Sequence, residues 1–176
     1  MLPLVEIDKE LPKTGLVYDL GCGQGIVAIY LSQVKSRKVV GVDQDVSRLP
    51  KTKSQNLKFE SADIRKYDIS SARGIVVSDV LHHINFADQK LLLKNIAKNL
   101  DKDGVLVIKE IDTRDLFRSS LSRFWDFVFY PNEEIYFNDS KRLKKSLENF
   151  GMKVEVKKTS LFFPGSTNLF ICKKSA

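Results

Sequence analysis

"VYDLGCGQGI", residues 17–26, closes an apolar run with an acid and follows it with three alternating glycines. A strand that breaks into glycines and then resumes as an apolar helix is the form of a backbone loop that cradles a ligand. The loop is Gly21-Cys22-Gly23-Gln24-Gly25, spaced GxGxG. A dinucleotide loop requires a small residue three positions after the second glycine, where this chain has Ile26. No Gly-Lys-Ser/Thr follows, so a Walker phosphate loop is excluded. Asp19 stands at the mouth of the loop, where a carboxylate repels phosphate and suits a ligand carrying positive charge.

The rest of the chain alternates strand-length apolar runs with helical patterns, the signature of a parallel sheet flanked by helices. Strands are predicted at Leu16–Leu20, Lys38–Asp43, Leu57–Ser61, Gly74–Val80 and Gly104–Ile111. Helices are predicted over Gly25–Val34, Asp88–Leu100 and Asp139–Phe150. The second has Asp88 as its N-cap and Leu91, Leu92, Ile96 and Leu100 as its apolar face, and "DKDG" after it reads as a turn. Gly151 caps the third. "MKVEVKKTS" and "TNLFICKK" are then separated only by "LFFPG", too short for a helical crossover, so they pair as an antiparallel hairpin.

At 176 residues the chain reads as one domain, residues 1–176. Hydrophobic content of 43% and charged content of 29% describe a soluble protein, and the apolar runs are too short to span a bilayer. The N-terminal stretch lacks the apolar core of a signal peptide, and two cysteines make no disulfide framework or metal spacing, so a cytoplasmic location without a metal is expected. The net charge of +7 is concentrated at one end: residues 141–176 carry nine basic side chains against Glu148 and Glu155. That excess reads as a solvated surface, with an RNA or anionic-membrane footprint as the alternative.

Two further acids sit beyond their own strands. Asp43 ends "VVGVD", where a carboxylate can accept both hydroxyls of a ribose. Asp63, in "FESADI", can accept from an adenine amino group while the Ile64 amide donates to the ring. In this order, with the glycine loop, the sequence resembles the class I S-adenosylmethionine-dependent methyltransferases. "VYDLGCGQG" is similar to their first motif, "VVGVDQD" to their second, "ESADI" to the adenine-side acid and "IVVSDVLHHI" to the segment at the fourth strand. The resemblance implies a Rossmann-like α/β sheet of order 3-2-1-4-5-7-6, with S-adenosyl-L-methionine bound and S-adenosyl-L-homocysteine released. It implies that Asp19, Gly21, Cys22 and Gly23 face the methionine part, Asp43 and Gln44 the ribose, Asp63 and Ile64 the adenine, and Ser78 the cofactor from the fourth strand.

A substrate is then expected beyond the carboxyl ends of the strands. His82 and His83 in "DVLHHI" are candidate general bases, with pocket lining as the plainer role. Glu110, Asp112, Trp125 and Phe162 are expected at the substrate cleft, with Glu110 and Asp112 as alternative bases and strand-end capping or ion-pairing as their plainer role. "SDVLHH" does not match the Pro-Pro-Tyr-like stretch typical of adenine and glutamine methyltransferases, and no Pro-Cys pair supports cytosine chemistry. An aromatic-rich helical insert is predicted at about 113–137, holding eight of the 17 aromatic residues, with Phe117, Leu121, Phe124, Trp125, Val128 and Phe129 on one stripe. It is read as a packed helix, a lid over an apolar acceptor, or a helix lying on a membrane. With the first motif near residue 17, the insert, "LFFPG" or a second subunit is expected to supply the cover. These features point to methyl transfer to an oxygen or carbon of a small or lipid-like acceptor. An RNA methyltransferase and a non-catalytic cofactor-binding partner subunit are the alternatives.

Overall fold

The computed structural model describes residues 2–45, 47, 49–51, 54–111, 136, 139–159 and 167–175. The elements are α1 (Leu4–Glu10), β1 (Gly15–Leu20), α2 (Ile26–Leu31), β2 (Arg37–Asp43), β3 (Leu57–Ser61), β4 (Ala72–Ser78), a 3₁₀ turn (Leu81–His83), α3 (Phe86–Asn99), β5 (Leu100–Ile111), α4 (Ser140–Asn149), β6 (Met152–Lys158) and β7 (Thr167–Lys174). The seven strands order as β3-β2-β1-β4-β5-β7-β6. Pairing is parallel from β3 to β5 and antiparallel in β5-β7 and β7-β6, the sheet that the resemblance implies.

Period-two alternation divides the strands between two cores. Tyr18, Leu20, Ile75, Val77, Leu106, Ile108, Phe170 and Cys172 pack with Leu92, Ile96, Leu143 and Leu147 of α3 and α4. Val17, Val76, Val105, Val107, Leu169 and Ile171 pack with Ile7, Val27, Ala28 and Leu31 of α1 and α2. Both faces are covered, which is why the central strands read as unbroken apolar runs.

Several boundaries differ from the sequence expectation. Helix α1 is not predicted by the periodicity of its seven residues. Helix α2 covers Ile26–Leu31, shorter than the expected Gly25–Val34. Strand β4 ends at Ser78 rather than Val80, because Asp79 leaves the strand with φ at 56°. Helix α3 is capped by Asn85, whose side chain accepts from the Asp88 amide, so Asp88 lies in the first turn and is not the cap. Its buried stripe is Gln89, Leu92, Leu93, Ile96 and Ala97, and Leu91 is 65% exposed. Gln89 takes the place assigned to Leu91 because it shares the helical face of Leu92, Leu93 and Ile96. "DKDG" is no turn. Residues 101–104 bulge within β5, between the Ala72–Leu100 and Gly74–Val105 pairs.

Arg37, at the start of β2, is fully buried. Its guanidinium donates to Asp8 Oδ1 (2.5 Å) and to the carbonyls of Pro12 (2.7 Å) and Leu11 (3.2 Å). This clamp fixes α1 and the chain after it to the end of the sheet opposite the glycine loop. Arg37→Ala removes the guanidinium from the Asp8 carboxylate and from the carbonyls of Asp8, Leu11, Pro12 and Leu31, and leaves a cavity. Chemical denaturation is expected to show a loss of about 1–3 kcal/mol from the carbonyls left unpaired, since Asp8 is partly exposed and keeps its pair with Lys13.

Candidate functional site

A cleft of about 770 Å³ lies beyond the carboxyl ends of β3, β2, β1 and β4. Its wall is built from the loops that follow those strands, the usual ligand position in an open α/β sheet. Four acids line it, Asp19, Asp43, Asp63 and Asp79, together with Arg65 and His83. Gly21, Cys22, Gly23, Gln44, Ile64 and Ser78, all expected at the cofactor, also line it.

The loop after β1 folds back onto β2. The amides of Gly21 and Cys22 both donate to the Val42 carbonyl, at 2.8 and 3.0 Å. Gly21 has φ at 73°, and a Cβ there would stand 2.5 Å from a Val80 methyl, so the close approach of the β1 and β4 loops requires glycine. Asp43 holds the loop from the other side. Its Oδ2 accepts from the Gly23 amide (2.8 Å) and its Oδ1 from the Asp45 amide (3.0 Å).

Asp19 shares the sheet face of Val17, so its side chain lies against the first turn of α2. Its Oδ2 accepts from the Ala28 amide at 3.0 Å, satisfying one of the free N–H groups at that helix end. Burial, only partly offset by that hydrogen bond and reinforced by the charge of Asp43, pushes its pKa up to about 7. Burial and the same acids push the Cys22 thiol up to about 12, so it remains protonated at neutral pH.

At the β3 end, Asp63 clamps a guanidinium. Arg65 Nε lies 2.8 Å from Oδ1 and Nη2 lies 2.7 Å from Oδ2, and Nη1 reaches Asp88 at 3.3 Å. The Arg65 hydrogen bonds hold the Asp63 carboxyl below the usual range. The Ser78 hydroxyl is buried in the wall with no hydrogen-bond partner among the described residues.

The two histidines separate. His83 lines the cleft, while His82 is 3% exposed and is not among the lining residues. Its Nδ1 lies 2.9 Å from Glu110 Oε2. Glu110 Oε1 accepts from the amides of Val80 (3.2 Å) and Leu81 (2.8 Å). Glu110 therefore caps the 3₁₀ turn and fixes His82, and it does not line the cleft. Gln89 supports the same turn, donating to the carbonyls of Leu81 and Ile84. Asp112, Trp125, Phe162 and the insert at 113–137, apart from Tyr136, lie outside the described residues. The Tyr136 amide donates to the His82 carbonyl at 2.8 Å.

Sequence reasoning missed Arg65, Asp79 and Leu2 as lining residues. For Asp79 there is a signal, an acid beyond the end of a parallel strand like Asp43 and Asp63. For Leu2 there is none, since its place depends on where Arg37 docks α1.

A family model described as a methyltransferase domain matches residues 4–156. The chain belongs to the class I S-adenosylmethionine-dependent methyltransferases. It is 28% identical over 151 residues to a carboxy-S-adenosyl-L-methionine synthase of Helicobacter pylori, covering 80% of this chain and 61% of that protein. The methyltransferase chain thus spans about three fifths of that curated relative. Among solved structures, a SAM-dependent methyltransferase of Archaeoglobus fulgidus superposes with a TM-score of 0.80 at 16% identity, covering 97% of this chain and 91% of that one. Human N-acetylserotonin methyltransferase in complex with SAM gives 0.77 at 17% identity, covering 99% and 52%. At such identities these likenesses establish the fold.

The pKa of Asp19 sets a pH dependence for this methyltransferase domain. With a folded value of about 7 against about 4 unfolded, the folded state binds the extra proton between those values. Stability is then expected to fall as pH rises from about 4 to about 7 and to level off above. Asp19→Asn retains an acceptor for Ala28 and should flatten that slope, as read from urea midpoints at pH 5 and 7.5.

Proposed function

We propose that this chain transfers the methyl group of S-adenosylmethionine to an oxygen or carbon of a small or lipid-like acceptor. One observation carries the donor: acids at the carboxyl ends of β1, β2, β3 and β4 line one continuous cleft with a glycine loop at its centre. Asp43 and Gln44 suit the ribose, Asp63 and Ile64 the adenine, and the Asp19 end of the cleft the charged methionine part. The volume of about 770 Å³ falls within the range of small-molecule and cofactor sites. The acid-rich lining suits a cation that carries both a sulfonium and an ammonium group. The buried Ser78 hydroxyl adds a donor and an acceptor to that wall.

When bound, the cofactor supplies a methyl group on a good leaving group, ready for in-line displacement. The chain's own part is to bind, align and exclude water. The Gly21–Val42 and Gly23–Asp43 hydrogen bonds fix the loop before any ligand arrives. Glu110 and Gln89 hold the 3₁₀ turn that brings His83 to the cleft. We assign to His83 the polar contact with the acceptor and to His82 the fixing of the turn. The aromatic content of 113–137 supports an apolar or amphiphilic acceptor.

The Helicobacter pylori relative's name raises a second reading, in which the bound group carries a carboxylate. In the described lining Arg65 is paired with Asp63 and Asp88, and Asp79 with Lys109. Among the described residues this leaves Asp19 and Asp43 without a cationic side-chain partner and no unpaired Lys or Arg in the lining for a carboxylate, which favours the methyl donor. The RNA reading gains little from the basic end, where Lys157 pairs with Glu10 (2.8 Å) and Lys144 with Glu148 (3.7 Å).

Calorimetry should show saturable binding of S-adenosylmethionine and S-adenosylhomocysteine. Asp43→Ala should weaken both by about 1–3 kcal/mol through loss of a charged acceptor that lines the cleft. No detectable heat at millimolar ligand would overturn the donor assignment. Mass spectrometry of acceptor reactions should show a gain of one methyl group, whereas a carboxylated donor product would favour the second reading.

A further inference from the structure

The sheet order gives the cleft a direction. Asp63 and Arg65 follow β3, Asp43 and Gln44 follow β2, Asp19 and the glycine loop belong to β1, and Ser78 to His83 follow β4. If the nucleoside lies across β3 and β2 and the methionine part begins at β1, the transferring group lies at the β4 end. This step rests on the donor reading of the preceding subsection.

Among the described residues, one carboxylate lines the cleft at that end. Asp79 follows the last residue of β4 with φ at 56°, a left-handed conformation uncommon for a residue with a side chain. Its amide donates to the Lys109 carbonyl at 3.0 Å, across the β4-β5 pair. Its carboxylate takes both oxygens to Lys109 Nζ, at 2.6 Å for Oδ1. Lys109 is buried, so the ammonium is fixed in the sheet while the Asp79 side chain is 37% exposed on the cleft side. Backbone and side chain are thus both held by one residue of β5. The lysine uses part of the carboxylate's capacity, because a carboxylate offers about four lone-pair positions. The histidines do not duplicate this group: His82 faces Glu110, and His83 is a ring without fixed negative charge.

We propose that Asp79, fixed by Lys109, is the carboxylate that faces the transferring group. It would accept from a cationic, N–H or O–H group there, including the nucleophile of the acceptor.

Sinefungin tests the assignment without knowledge of the acceptor. It carries a primary ammonium where S-adenosylmethionine has its transferring methyl, and S-adenosylhomocysteine carries nothing there. Asp79→Asn suits the left-handed backbone, as does Asp79→Gly. Both variants are expected to weaken sinefungin about tenfold or more and S-adenosylhomocysteine less than about threefold, the difference expected for one charge-assisted hydrogen bond. Equal weakening of the two ligands would overturn the proposal, because Asp79 would then serve the methionine ammonium or the fold. Unchanged affinities for both would overturn it as well. Failure of the wild-type protein to bind either ligand would instead overturn the donor reading, which separates the two outcomes.

Discussion

The Asp19 carboxylate, buried under the first turn of α2, joins three parts of the molecule in one hydrogen bond. It lies one residue before the end of β1, it satisfies the Ala28 amide at the start of the helix, and it fixes the entry and exit of the glycine loop. A short loop of alternating glycines has little structure of its own, so its shape is imposed by what its two ends are tied to. The Val42 carbonyl and the Asp43 carboxylate then hold its middle. The cost is a carboxyl group taken out of water, visible in a pKa near neutrality. A binding partner with positive charge would relieve that cost, which links the stability of the free protein to the chemistry of its ligand.

The two ends of the sheet do different work. At the amino ends of the strands, Arg37 gathers Asp8 and two carbonyls and locks α1 in place. At the carboxyl ends, β1, β2, β3 and β4 each place an acid in a common cleft. Those acids are not equivalent. Asp63 is engaged by Arg65, Asp43 by backbone amides, Asp79 by a lysine buried in the sheet, and Asp19 by a helix end. Neighbours of different charge and burial let one residue type meet several parts of a polar ligand.

Much of this was legible in the sequence. Residues 17–26 announced a strand, a loop and a helix, because glycine spacing and apolar periodicity are local properties. Asp43 and Asp63 were legible because a parallel strand places its carboxyl-terminal residue at the same edge as its neighbours. The hairpin β6-β7 followed from the shortness of "LFFPG". The start of α3 was misread because Asn85 and Asp88 are both good caps, and only their mutual hydrogen bond shows which one accepts. Leu91 was misplaced because three consecutive leucines fit more than one helical face, and the packing against β4 and β5 selects Leu92 and Leu93.

By itself, then, the sequence determined the alternation of strands and helices, the glycine loop and the acids at the strand ends, all set by short-range patterns of polarity and backbone freedom. The strand order came only with the family resemblance and is set by the tertiary structure. Tertiary structure decided which histidine reaches the cleft, since that depends on Glu110, 28 residues from His82 and on another strand. It also decided that Asp79 belongs to the site. Its left-handed turn and its lysine partner arise only when β4 and β5 lie side by side, 30 residues apart in the chain. Contacts between distant segments leave no periodic trace in a single sequence, and for this protein they set the β4 end of the cleft.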